Sequence, residues 1–579
     1  MLKTILSAVR QYKTKSLLSP LFVSLEVFIE MFIPYVMGML IDNGIMKNDM
    51  HYIVSRGVFL LILTLISLVL GALASATSAT AAAGVAANLR HDMFNQIQEY
   101  SFENINKFSS SSLVTRLTTD VNNIQLAYQM SIRIAVRAPL MMIVSLIMSF
   151  IVNAKLALIF VVLVPILAVV LALIIKTAYP YFPKIFRGYD RLNRVVRENV
   201  RGIREVKTYV HEEEQIDEFK KSSKLIYKLF FGAQKIMATN GPVMMFVIDS
   251  ALLLVSWFGA RQIVYGSMQT GQLVSMFSYS MSVLFSLMML AMIFTQLILA
   301  QASGNRVAAV INEQPSITNP HKPIETIADG DIEFDHVGFK YEPDAEHWIL
   351  KDINLHILPG ETIGIIGETG SSKSTLVSMI PRLYDVTTGA VRVSGHNVRS
   401  YDLKALRDNV AMVLQNNVLF SGTIKDNLKW GNEHASDEEI VQAAKIAHAD
   451  GFIREFKDGY DTMIDQGGTN VSGGQKQRLT IARALLKQPK ILILDDSTSA
   501  VDTQTEREIR TALQKDMPKT TKIIISQRIV SIKDADRIIV MNEGQIQDIG
   551  THDELIKRNP LYSSIAKFQA EQKGVGADD

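Results

Sequence analysis

Long apolar runs with no charge, all before Arg306, constrain this chain more than any other feature. Gly57–Leu89 and Gln262–Asn305 contain no charged residue, and Leu156–Ile175 is uncharged between Lys155 and Lys176. A helix crosses the ~30 Å hydrocarbon layer with about 20 residues, so each run is long enough to span it. Leu17–Ile45 and Gly241–Tyr265 carry isolated acids, and Ile132–Val152 carries Arg133 and Arg137 near its start. The pattern predicts six spans. The first run starts late and lacks a small-residue cleavage site, which argues against a cleavable signal.

Lysine and arginine set the expected orientation. Lys3, Arg10, Lys13 and Lys15 precede the first span, and Arg187, Arg191, Arg194, Arg197, Arg201, Arg204 and Lys207 lie between the fourth and fifth. The connection between the third and fourth is only "NAK" and that between the fifth and sixth is nearly uncharged, which predicts cytoplasmic termini at a cell membrane. The segments 90–129 and 182–234 have apolar residues at helical spacing and are expected to extend the membrane helices into the cytoplasm.

From about Asp331 the composition turns mixed, charged and glycine-punctuated. Before it, "INEQPSITNPHKPIETIADG" holds Pro315, Pro320 and Pro323 and reads as a linker. The expected organisation is a membrane domain over 1–310, a linker over 311–330 and a soluble domain over 331–579. Across all 579 residues the net charge is only +2, giving no electrostatic case for nucleic acid. There is no cysteine, which excludes disulfides, thiolate catalysis and Cys-ligated metals.

The soluble half carries the chemistry. "GIIGETGSSKSTL" follows a strand-like run and precedes a helix-like one, the setting of a phosphate-binding loop containing Gly367 and Gly370. Backbone N–H groups and the helix N-terminus cradle phosphate oxygens; Lys373 reaches the β- and γ-phosphates, and the Ser374 hydroxyl coordinates Mg²⁺. Thr375 follows in the same motif, and Ser372 stands where the pattern usually has glycine. "ILILDDSTSAVD" is a buried-strand pattern ending in Asp495 and Asp496, a familiar way to hold a magnesium ion and a hydrolytic water.

Between them, "NVSGGQKQRLTIARALLKQPKILILDD" opens a helix at Ser472, Gly473, Gly474 and Gln475 that leads to that strand. With the phosphate loop upstream, the whole chain resembles the ATP-binding cassette (ABC) family, six spans followed by one cassette, as in half-size exporters. The fold the resemblance implies is a multidomain one: an all-α polytopic membrane domain followed by an α/β P-loop ATPase domain with β-rich and helical subdomains. By resemblance, Tyr341 in "VGFKY" stacks on adenine and Gln415 in "VLQNNVLF" touches Mg²⁺. Ser499, Ala500, Val501 and Asp502 form the loop that crosses to a second cassette. Two cytoplasmic coupling helices are expected near Lys107–Ser112 and Val206–Glu214.

Cassettes of this family act as dimers, each ATP held by one chain's phosphate loop and the other's "SGGQ". Asp496 occupies the position of the water-polarising glutamate and is one methylene shorter. Gln527, in "IIISQRIVSI", occupies the position of the switch histidine and cannot become cationic. Gln466 replaces a usual glutamate, and Val471 a usual leucine. The side offered to a partner is regular. That asymmetry resembles one subunit of bacterial heterodimeric multidrug exporters, and it implies a second half-transporter as partner, the lipid bilayer as environment and amphipathic small molecules as substrates. A homodimer with tolerated substitutions, a lipid or peptide exporter, and a nucleotide-gated regulatory subunit are the alternatives.

Ionisable residues inside spans need a reason. Depth along the helices predicts that Glu30 faces Arg137 and that Glu26 faces Arg133. Asp249 has no such counterpart; it either lines a water-filled cavity that attracts cations or makes a structural hydrogen bond. The methionines of the sixth run (Met276, Met281, Met288, Met289, Met292) read mostly as packing filler.

Overall fold

The computed structural model describes residues 1–342 and 344–574, so the end of the expected soluble domain, to Asp579, lies outside the described residues. The chain divides into two units, residues 1–98 with 110–313, and residues 99–109 with 314–579.

The first unit is helical. Among the described residues five helical stretches are long and apolar enough to cross a membrane: Arg10–Ile45, Met50–Glu99, Ser110–Arg201, Glu212–Val264 and Thr270–Leu290. The sequence predicts six. The third stretch is 92 residues long, and Asn153 inside it is not helical, with φ −157° and ψ 102°. The Asn153 side chain accepts a hydrogen bond from the Leu156 N–H (3.1 Å), which is how an N-cap starts a helix. Its amide also donates to Gln262 (2.7 Å). A break with a new cap therefore sits in the short "NAK" connection.

The helix Thr270–Ile311 packs mainly against Val121–Ala178 and Lys13–Leu40. It approaches Lys13–Leu40 closely because glycines face each other: a Cβ on Gly38 would fall 2.8 Å from the Gly271 carbonyl oxygen. Ser275 donates to the Pro34 carbonyl (2.7 Å) and the buried Tyr279 hydroxyl to that of Met31 (2.9 Å). At one end Asp42, on a π turn over Ile41–Ile45, accepts from the Gly271 N–H (2.6 Å). Towards the other, Asp120, on a second π turn over Arg116–Asp120, accepts from Arg306. Many large apolar side chains in the first half of Met50–Glu99, among them Leu61, Leu65 and Leu68, are exposed, as a helix solvated by lipid allows, whereas Val85, Leu89 and Met93 further along are buried.

Of the expected charge pairs, Glu30–Arg137 forms and Glu26–Arg133 does not. Arg137 bridges both acids, reaching Glu26 at 2.7 Å and Glu30 at 2.5 Å. Arg133 donates to the Ser75 hydroxyl at 3.2 Å. Glu26 and Glu30 are one turn apart on one face, so a single guanidinium fork spans them. Counting depth along separate helices does not capture that. Short helices form at Phe102–Phe108, started by a Ser101–Asn104 capping box, at Ser110–Thr115 and at Ile203–Thr208, overlapping the expected Lys107–Ser112 and Val206–Glu214.

In the second unit, a six-stranded sheet runs in the order Gln545–Gly550, Arg537–Asn542, Thr362–Gly367, Thr521–Ile525, Ile491–Asp495, Val410–Val413, parallel except for the edge hairpin. Its central strands are buried at every position and mostly apolar because both faces are covered. A four-stranded antiparallel sheet, ordered Leu350–Ile357, Ile332–Phe339, Thr388–Val393, His396–Asn397, covers one side. Helices Asp437–Ile446 and Gly473–Leu485 pack on the other with Ile424, Leu428, Leu479 and Ile481 in the core.

Candidate functional site

The parallel strands Thr362–Gly367 and Ile491–Asp495 end on the same edge of the sheet, and the chemistry gathers there. After Gly367 the chain turns through Gly370 (φ +89°) and Ser372 (φ +70°) into the helix Lys373–Ser378. Both lie in the left-handed region, which a glycine adopts freely and a serine only at a cost. This explains the usual glycine at position 372. The Lys373 ammonium donates to the loop itself, to the carbonyls of Gly367 (3.0 Å) and Glu368 (2.8 Å) and to the Ser371 hydroxyl (3.2 Å).

The Ser374 hydroxyl donates to the buried Asp495 carboxylate at 3.0 Å. Burial pushes the Asp495 carboxyl above its usual range, and the Asp496 charge adds to that against the Ser374 bond and Lys373. Burial also pushes Lys373 down, although Asp495 and Asp496 oppose it. Two adjacent carboxylates with a hydroxyl on one of them are a hard-oxygen donor set short of positive charge. That is the chemistry a small divalent cation of the magnesium type satisfies.

Asp496 itself has φ +46°, a conformation that aspartate tolerates better than most residues, and its N–H donates to the Ile525 carbonyl (3.0 Å). The amide of Gln415 lies 3.5 Å from Asp496, at the outer limit of a hydrogen bond. The Gln527 side chain is exposed, and its carbonyl accepts from Gln569 (2.7 Å). Tyr341 is half exposed; its hydroxyl bonds that of Thr375 (2.9 Å), and its ring meets Phe339 and Tyr384 edge-on. The phosphate loop, Asp495, Asp496 and Gln415 thus converge, with Tyr341 joined to the loop's helix through Thr375.

The signature residues start the helix Gly473–Leu485. Ser472 caps it in a reciprocal box with Gln475, at 3.2 and 2.9 Å. Gly474 must be glycine, since a Cβ would fall 2.8 Å from the Ala500 carbonyl oxygen. Gln477, buried on the apolar face of this helix, donates to the Ser499 hydroxyl (3.1 Å) and accepts from the Ala500 N–H (2.9 Å). The segment 499–502 is therefore clamped to the signature helix. Val501 is buried beneath it, and Asp502 caps the next helix through the Thr505 N–H (2.9 Å).

Sequence reading missed Gln477, although a glutamine on the Leu479–Ile481 side of an amphipathic helix was a signal. It also missed Tyr384, whose hydroxyl accepts from Asn106 of the Phe102–Phe108 helix (3.2 Å), and Gln569; neither has a local pattern. Asp249 is exposed on the helix Asn240–Val264, on the face opposite Met244, Val247 and Ala251.

A helical membrane domain fused to a sheet domain with a phosphate loop, an acid-ended strand and a glycine-started helix defines an ATP-driven membrane transporter subunit. The ABC transporter transmembrane region family matches residues 16–288, and the ABC transporter family matches residues 350–499. The chain is 35% identical over 575 residues to the uncharacterized ABC transporter ATP-binding protein YfiB of Bacillus subtilis, covering 98% of this chain and 99% of that one. It is 32% identical over 486 residues to an ATP-dependent lipid A-core flippase of Alkalilimnicola ehrlichii (84% and 82% covered). It is also 32% identical over 479 residues to a fatty acid ABC transporter ATP-binding/permease protein of Mycobacterium bovis (83% and 75%). The chain belongs to the ABC transporter family and is an exporter half-transporter that binds ATP and couples its hydrolysis to transport.

Proposed function

We propose that this chain is the subunit of a heterodimeric exporter that binds ATP at its own phosphate loop but hydrolyses it slowly, while lending an intact signature to its partner's site. The observation that carries this reading is the contrast between Asp496 and Gln527 on one side and the capped, clamped Ser472–Gln475 on the other. An aspartate withdraws the carboxylate by roughly 1.5 Å relative to glutamate, and a misplacement of about 1 Å costs hydrolysis on the order of 10²-fold. Gln527 can hydrogen-bond a γ-phosphate but supplies no charge.

In this reading Gly367, Gly370, Ser372, Lys373, Ser374 and Thr375 hold the phosphates and Tyr341 stacks on adenine. Ser374, Gln415 and Asp495 would hold Mg²⁺, which supplies charge neutralisation at the phosphates. Residues 499–502 would reach the partner's cassette. The break at Asn153 divides the third apolar stretch into two crossings, giving six, with both termini and the ATPase domain cytoplasmic. The substrates are amphipathic small molecules, and Asp249 faces their path, because an aspartate within a span is too costly to leave against lipid.

A second reading, a homodimeric lipid exporter, is favoured by the lipid A-core flippase and fatty acid transporter among the relatives. ATPase measurement separates the two. The purified chain alone should turn over slowly, and Asp496→Asn in the assembled complex should leave the rate nearly unchanged, whereas removing the partner's glutamate abolishes it. Brisk turnover without a partner, or an equal loss with Asp496→Asn, overturns the heterodimer.

A further inference from the structure

The strand Thr521–Ile525 contains an anomaly that nucleotide binding does not use. Lys522 sits in the middle sheet of the ATPase unit, 3% exposed, where its neighbours are isoleucines. Among the described residues its ammonium has one hydrogen-bond acceptor, the Thr520 carbonyl at 2.9 Å, and no carboxylate within 4 Å. The helices Thr503–Asp516 and Ile529–Ile532 cover it, leaving a cavity of ≈ 50 Å³ lined by Arg507, Arg510, Gln514, Lys522, Ser531 and Asp534.

Two further polar atoms in this lining are buried without a partner, Arg510 Nε and Ser531 Oγ. Arg510 uses its other nitrogens on the Val530 carbonyl (2.6 Å) and on Asp534 (3.6 Å). Arg507 is exposed at the rim. Three cations thus face one lining acid, Asp534, which is more than half exposed. Asp536, behind Thr362, also favours the charged lysine, but burial outweighs it and pushes Lys522 below its usual range.

A buried ammonium with no ion pair and buried donors with no acceptor are each costly. One small anion would relieve all of them together. We propose that this cavity is a binding site for a small inorganic oxyanion of the phosphate class, held by Lys522, Arg510 Nε and the Ser531 hydroxyl, with Arg507 at the entrance. The volume suits one such ion and is too small for a nucleotide, since a single water needs about 10–15 Å³ of such space. The site lies at the start of the parallel strands, whereas the phosphate loop lies at their other end. Its two covering helices have Asp502 and Arg528 as N-caps, so they start at or next to the segment 499–502 and Gln527. Occupation ties both to the strand between them.

The test is equilibrium binding of radiolabelled inorganic phosphate to the full-length protein at constant ionic strength, with Lys373→Ala silencing the phosphate loop. One saturable site should persist in that background and weaken at least tenfold with Lys522→Met and with the near-isosteric Ser531→Ala. Unchanged ATP binding by Lys522→Met with Lys373 intact confirms that the domain is folded. Absence of saturable phosphate binding in the Lys373→Ala background, or equal affinity in Lys522→Met, overturns the proposal. Competition by glycerol phosphate as effective as phosphate itself overturns the free-ion assignment in favour of a phosphomonoester.

Discussion

Arg306 donates twice to Asp120, at 2.8 and 2.5 Å, and the two residues differ sharply in burial: the Asp120 side chain is 1% exposed, that of Arg306 49%. Removing either partner is therefore not equivalent. Arg306→Met strands a buried carboxylate and should cost about 3–5 kcal/mol, whereas Asp120→Asn leaves a half-solvated guanidinium and should cost about 1–2 kcal/mol. Half-lives of thermal inactivation in detergent rank the two. If Asp120→Asn inactivates faster, the asymmetry in burial is not what governs the clamp.

The Glu26–Arg137–Glu30 triad predicts strong coupling. Arg137→Gln alone leaves two carboxylates one turn apart with no cation between them, a loss of about 3–5 kcal/mol. Adding Glu26→Gln and Glu30→Gln to it should recover at least half of that loss, while Arg133→Gln, which removes only a bond to Ser75, should cost under about 1 kcal/mol. Additive losses across the cycle would show that the triad does not act as a unit.

Ser372 holds φ +70° without the freedom of glycine. Ser372→Gly relieves the left-handed penalty, a gain of about 1 kcal/mol that raises the melting temperature by about 2–4 °C, and Ser372→Val moves it the other way. Differential scanning calorimetry reads both shifts. An unchanged melting temperature in the glycine variant would mean that the serine is unstrained.

How much of this was legible in the sequence follows from the range of the forces involved. Uncharged runs, the phosphate loop and the acid-ended strand are local patterns, so "GETGSSKST" and "ILILDD" lead directly to positions the fold then brings to one sheet edge. Asn153 was readable only as a short polar connection, because its capping bond to Leu156 and its bond to Gln262 depend on where the chain returns. The carboxylate–guanidinium pairing was half legible for the same reason: depth matches Glu30 to Arg137, but helical spacing does not show that Arg137 also takes Glu26 while Arg133 bonds Ser75. Gln477 and Lys522 were both visible as polar residues in apolar company, a local conflict that marks a tertiary partner without identifying it.

Gln569 shows what such a partner does at long range. Its side-chain amide accepts from the Ile529 N–H (2.9 Å) and donates to the Gln527 carbonyl (2.7 Å), so the C-terminal helix Pro560–Gly574 pins the segment between the strand Thr521–Ile525 and the helix Ile529–Ile532. Ile529 N–H is a first-turn donor with no partner inside its own helix, which makes the glutamine its cap. Gln569→Ala should cost about 1–3 kcal/mol locally and speed amide exchange at Ile529 by roughly tenfold or more, leaving exchange in the strand Ile491–Asp495 unchanged. Gln569→Glu keeps the acceptor but sets a carboxylate against the Gln527 carbonyl, so protection at Ile529 should fall part of the way. If the alanine variant protects Ile529 as well as the parent does, the C-terminal helix does not hold this segment.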